Sequence, residues 1–118
     1  MLEFKDVPDS NVVEFSVDGH ITRDEFHGVV EVLNANIAEH GKVRLLEEIR
    51  SFGLTDPLTL LEDLKWLFNH FNDIERTAVV SDHGWLEGFI QMMSPMFKMP
   101  VRYFTAADIE HARAWLNE

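Results

Sequence analysis

Thr77-Ala78-Val79-Val80-Ser81 is an unbroken run of small and β-branched residues without a charge. A strand that faces water on one side alternates polar with apolar. A continuous run predicts a strand covered on both faces, as in the middle of a parallel sheet. Parallel neighbours need crossovers of a dozen residues or more, and the flanking sequence supplies them. Upstream, Leu60, Leu61, Leu64, Leu67, Phe68 and Phe71 recur at helical spacing behind Pro57, a residue suited to a first helical turn. Downstream, a helix is expected over 82–97. Pro95 within it cannot bond the Gln91 carbonyl, so a kink or restart is expected near Ser94.

Farther out, Val43 to Ile49 reads as a strand and 51–56 as a loop. Val101 to Phe104 reads as the last strand, and a final helix opens at Thr105-Ala106-Ala107-Asp108 and runs to about Trp115 or Leu116. Near the N-terminus, Leu2 and Phe4 alternate with Val7 as a candidate extension, Pro8-Asp9-Ser10-Asn11 is a turn, and Val13, Phe15 and Val17 alternate again. The two segments predict a hairpin ended by Asp18-Gly19. Thr22 and Glu25 form a capping box, Phe26, Val29, Val30, Leu33 and Ile37 an apolar stripe, and Gly41 a C-terminal stop. The expected order is ββαβαβαβα. It makes one α/β domain over 1–118, with about five mostly parallel strands, the first antiparallel, and four helices on both faces.

Composition narrows the function. A chain of 118 residues with 46% apolar content builds one core. Without cysteine there is no disulfide, thiolate metal site or cysteine nucleophile. The start of the chain lacks a basic and an apolar signal region, and no run is long enough to span a membrane, so a cytoplasmic domain is expected. A formal net charge of −11 repels a phosphate backbone, which argues against nucleic acid as a partner.

Four segments together carry a family resemblance. They are Val17-Asp18-Gly19-His20-Ile21-Thr22-Arg23-Asp24-Glu25-Phe26, Val43-Arg44-Leu45-Leu46-Glu47, Ile74 to Asp82 with Trp85, and Val101-Arg102-Tyr103-Phe104 followed by Ala112-Arg113-Ala114-Trp115-Leu116. In order and spacing they resemble the SpoIIAA-like family, whose fold is that of the STAS (anti-sigma-factor antagonist) domains and is related to the CRAL-TRIO lipid-binding fold. The resemblance implies a non-enzymatic binding or interaction module of STAS-like type. By the CRAL-TRIO analogy, the alternative is a carrier of a small apolar or lipid-like ligand. Regulatory antagonists carry a phosphorylated serine after an acidic residue in this region. Here Ile49-Arg50-Ser51-Phe52-Gly53-Leu54 lacks the acidic residue and the hydroxyl pair, so Ser51 is not expected to be a phospho-switch.

The residues themselves offer two candidate sites. Parallel sheets bind ligands outside the carboxyl ends of their strands, at a switch point. There Asp18, His20, Glu48, Asp82 and His83 are the polar candidates, beside Arg50, Ser81 and Thr105. Asp82 and His83 invite an acid–base reading, and a small hydrolase is the least favoured function; Asp82 serves equally as a helix N-cap. One of Glu47 and Glu48 must face a helix-covered side, where Arg44 or Arg50 is the expected partner. No metal spacing, P-loop or dinucleotide motif occurs, so no cofactor and no catalytic residue is assigned. The second candidate is apolar. Trp85, Leu86, Phe89, Ile90, Met92, Met93, Met96 and Phe97 cover more of a helix than one sheet contact needs, and methionines adapt to irregular partners. Trp66 falls on the polar side of its own helix. Trp66, Trp85, Phe89, Met92, Met93, Met96 and Phe97 are therefore candidates to line a ligand pocket or an interface, with a second copy, another protein or an apolar small molecule as occupant; the alternative is a core helix flanked by an adaptable loop, with the Trp66 ring lying flat on its own helix.

Overall fold

The computed structural model describes residues 1–7, 9–51, 62, 65, 66, 69, 70 and 72–118. The N-terminal hairpin forms as its alternation predicts: β1 (Leu2–Asp6) pairs antiparallel with β2 (Val12–Asp18). Gly19 follows at φ +78°, a conformation that glycine adopts at no steric cost, and turns the chain into α1 (Arg23–His40). The capping box is complete. Glu25 N–H donates to the Thr22 hydroxyl at 3.1 Å, and Thr22 N–H donates to the Glu25 carboxylate at 3.0 Å. Leu2 N–H donates to the same carboxylate at 2.6 Å, which ties α1 to the first strand. The amides of Thr22 and Leu2 hold the Glu25 carboxyl below its usual range. At the far end Gly41, at φ +82°, donates to the Ile37 carbonyl at 2.7 Å.

Three parallel strands follow: β3 (Val43–Ser51), β4 (Ile74–Ser81) and β5 (Val101–Phe104). β3 extends two residues beyond the expected Ile49, through Arg50 and Ser51. After β4 comes α2 (Trp85–Met93), a 3-10 turn at Ser94–Met96 where Pro95 was expected to break the helix, and later a 3-10 turn at Ala106–Asp108 leading into α3 (Ile109–Leu116). The described residues thus delineate three helices, not the four expected. The expected helix between Pro57 and Phe71 lies largely outside them; Glu62, Lys65, Trp66, Asn69 and His70, which are described, are helical. None of the described helices is long and apolar enough to cross a membrane.

The sheet order is β1-β2-β3-β4-β5, so each strand lies beside the next in sequence. This corrects an expectation. Right-handed crossovers that step always in one direction put their helices on one face. A monotonic order has no reversal and therefore no switch-point crevice of the kind that doubly wound sheets use. The core divides accordingly. On one face Val13, Phe15, Val17, Leu45, Ile49 and Val79 pack with Val29 and Leu33 of α1 and Leu86 and Ile90 of α2. On the other, Val12, Leu46, Ala78, Val80 and Phe104 pack with Ala112 and Leu116 of α3, the one described helix on that face, and with Val7.

Candidate functional site

Register decides which β3 side chains enter which layer. Leu45, Glu47 and Ile49 alternate with Leu46, Glu48 and Arg50, and Glu47 lies level with Phe15 and Val79 on the face that α1 and α2 cover. Glu47 is 2% exposed. Burial in that apolar layer pushes its carboxyl up to about 8, so it carries a proton at neutral pH. The arginines expected to pair with it do not, because they lie on the opposite face. Arg50 pairs with Glu48 at 2.9 Å, and Arg44 with Glu75 at 3.1 Å.

Two more buried polar groups share the layer. Thr77, fully buried, sits on β4 level with Leu45, one step from Glu47 on the same face, and its hydroxyl has no hydrogen-bond partner among the described residues. Asn36, on the inward side of α1, has an Oδ1 without a hydrogen-bond partner among the described residues. Glu47, Thr77 and Asn36 were not picked out as site residues from sequence. For Glu47 the signal was present: it holds the one odd-numbered position between Val43 and Ile49 that is not apolar.

The strand-end candidates separate into a linked group and three outliers. Ser51 Oγ donates to Asp18 Oδ1 at 2.7 Å, and Gly19 N–H donates to the Ser51 carbonyl at 3.0 Å. His83 Nε2 lies 3.4 Å from the Arg50 carbonyl oxygen, and His83 N–H donates to Ser81 Oγ at 3.1 Å. So Asp18, Ser51 and His83 cluster at the ends of β2, β3 and β4. Asp82 does not cap α2, whose cap position is Gly84; its carboxylate instead accepts from Ala106 N–H at 3.2 Å, across to the turn before α3. Glu48 lies within β3 on the α3 face, away from the strand ends. The carbonyl of His20 accepts from the Met1 amine at 2.6 Å, a backbone role. No group of three or more His, Asp or Glu side chains converges as a metal site among the described residues.

The Ser51–Asp18 bond sharpens the phosphorylation expectation. A phosphate on Oγ would lose the donor and set a dianion against the Asp18 carboxylate. Incubation with a STAS-directed kinase is expected to leave Ser51 unmodified by mass spectrometry. Stoichiometric phosphate on Ser51 would show that the missing motif residues are dispensable.

The apolar candidates fall on both sides of the surface. Trp85, Met92 and Met96 are 47%, 68% and 55% exposed. Phe89, Met93 and Phe97 are half-buried, and Leu86, Ile90 and Met99 are core. Trp85 packs edge-on to Phe89 at 6.4 Å. Trp66, half-exposed, stacks on His70 of its own helix at 4.4 Å and touches Phe26 of α1 at 5.7 Å. Its ring therefore lies against its own helix surface and bridges to α1.

Comparison with known proteins places this geometry. The crystal structure of an uncharacterised protein of the DUF3478 family from Shewanella loihica PV-4, with a SpoIIAA-like fold, matches with a TM-score of 0.69 at 18% identity. The match covers 98% of this chain and 92% of that one; at such identity it is a likeness of fold. No curated protein matches the chain. Residues 12–117 match the SpoIIAA-like family, and the chain belongs to that family.

Proposed function

We propose that this SpoIIAA-like domain is a non-enzymatic protein-interaction module that uses the outer side of α2. The observation that carries the reading is the exposure of Trp85, Met92 and Met96 on one helix and its 3-10 extension. Scattered exposed apolar residues are ordinary, whereas three large ones on one short segment make a patch of the kind that contacts other proteins. Methionine suits such a surface because its thioether adapts to the partner's shape. The occupant is another protein; a second copy and an apolar small molecule are the other outcomes of the test.

The test uses the purified chain and a Met92→Glu, Met96→Glu variant. Both positions are exposed, so the variant's stability is expected to stay within about 0.5 kcal/mol of wild type. An environment-sensitive apolar dye is expected to bind the wild type and not the variant, and native mass spectrometry is expected to show the chain without retained small molecules. A lipid retained at one per chain would replace the interaction reading with the carrier reading. Dye binding unaffected by the variant would remove α2 as the surface.

A further inference from the structure

We propose that the open edge of β5 is a second docking site, separate from the outer side of α2, and that it takes a basic, extended peptide segment as an added strand. The edge follows from the register. Thr77 pairs with Val101 and its N–H donates to the Pro100 carbonyl at 3.0 Å. In the evenly spaced parallel pattern, Pro100, Arg102 and Phe104 then direct their backbone groups to β4. Val101 and Tyr103 direct theirs outward, and among the described residues nothing bonds to them. The opposite edge is different: at β1 the outward Leu2 N–H is already taken by Glu25.

The space beside β5 suits a strand. A concavity of about 400 Å³ lies between α2 and β5, lined by Glu87, Gln91 and Ser94 as well as Val101 and Tyr103. Another, of about 570 Å³, lies between β5 and α3, lined by Asp108, His111, Trp115 and Glu118. Both include Glu87, Arg102 and Tyr103, so they meet over the strand. An added strand sends alternate side chains to opposite faces, one set into each concavity. The Tyr103 hydroxyl donates to the Ser81 carbonyl at 2.6 Å, and the Arg102 guanidinium lies 5.0 Å from the centre of the Phe104 ring, which positions the side chains on either side of the edge.

Charge selects the occupant. Glu87 stands on the α2 side, and Asp108 and Glu118 stand on the α3 side, against one arginine. The chain as a whole carries −11. Two copies joined edge to edge would bring both acidic sets together, which disfavours self-pairing. Lysine or arginine at alternate positions of an incoming strand would point to one face and meet a carboxylate whichever face that is, and the intervening apolar residues would lie on Trp115 or on Tyr103 at the other.

The probe is a synthetic seven-residue peptide alternating Lys and Val, titrated into the isotopically labelled chain at low salt. The Val101 and Tyr103 amides are expected to shift and to gain exchange protection. The matching Glu/Val peptide is expected to bind at least ~10-fold more weakly, and added salt to weaken the Lys/Val peptide. Methylating the peptide's backbone nitrogens is expected to abolish binding, which separates strand addition from charge attraction. Glu87→Lys with Asp108→Lys is expected to reverse the peptide preference. Equal binding of both peptides, retention of the methylated peptide, or shifts confined to α2 would overturn the proposal. So would a dimer in sedimentation whose interface protects the same two amides. Loss of the α2 surface in the dye experiment leaves this result untouched, so the two readings fail separately.

Discussion

Replacing Glu47 by glutamine is expected to raise the free energy of unfolding at pH 8 by about 3–5 kcal/mol and to change it little at pH 4. The sign follows from the two protonation equilibria. In the unfolded chain the carboxyl has its ordinary value of 4.5; in the fold, burial pushes it up to about 8. Below pH 4.5 both states hold the proton and the group is neutral to stability. Between 4.5 and 8 the unfolded chain releases the proton while the folded chain keeps it, so stability falls as pH rises, by about 1.4 kcal/mol per pH unit, and levels off above 8. Glutamine keeps the shape and removes the titration, at the cost of burying an amide. The carboxyls of Glu25 and Glu75 are displaced the other way, so their contributions are lost in acid, outside this window. Chemical denaturation of both proteins from pH 4 to 9 reads the effect. A wild-type curve flat from pH 5 to 8 would mean that Glu47 is ionised in the fold and has found a counter-charge.

The same residue shows where sequence patterning carries and where it stops. The unbroken run ending at Ser81 identified a doubly covered strand, and β4 is buried almost throughout. The capping box, the two glycine stops and the break at Pro95 are local rules, and each appears at its residue. Strand order is not local. Alternating strands and helices fit a doubly wound sheet and a monotonic one equally, and the choice between them decides whether a switch-point crevice exists. Asp82 failed for a related reason: a carboxylate beside a helix start is a good cap by propensity, but the turn before α3 supplies a competing N–H from a segment 24 residues away. For Glu47 the alternation along β3 is legible, and the same pattern sets both arginines on the other face. Even-numbered Arg44 and Arg50 share a face with Glu48 and cannot reach Glu47 through the sheet.

Those arginines give the second large effect. Arg44→Met is expected to destabilise the domain by about 2 kcal/mol at neutral pH, by removing charge-assisted hydrogen bonds at both ends of the guanidinium. One end grips Glu75 with Nε at 3.1 Å and Nη2 at 3.3 Å; Nη1 donates to the Leu116 carbonyl at the end of α3. Arg76 does the same one strand over, donating to the Trp115 carbonyl at 2.7 Å with its guanidinium 5.2 Å from the Trp115 ring centre. The last carbonyls of a helix lack partners within it and carry partial negative charge, so two cations from the sheet both satisfy and complement them. α3 is the one described helix on its face of the sheet, and its eight residues give it little stability of its own. The Glu75 part of the loss depends on pH. The Arg44 hydrogen bond is the main cause holding that carboxyl below its usual range, so the gap between wild type and variant is complete above pH 4.5 and narrows as acid protonates Glu75. Glu75 is more than a third exposed, which screens this part, so a double-mutant cycle with Glu75→Gln is expected to assign it no more than about 1 kcal/mol. The remainder belongs to the Leu116 carbonyl and should persist in acid and in salt. Arg44→Lys keeps the charge without the fork and is expected to recover less than half of the loss. If Arg44→Met changes stability by under about 0.5 kcal/mol, α3 is held by the packing of Ala112 and Leu116 alone, and the arginines only decorate its end.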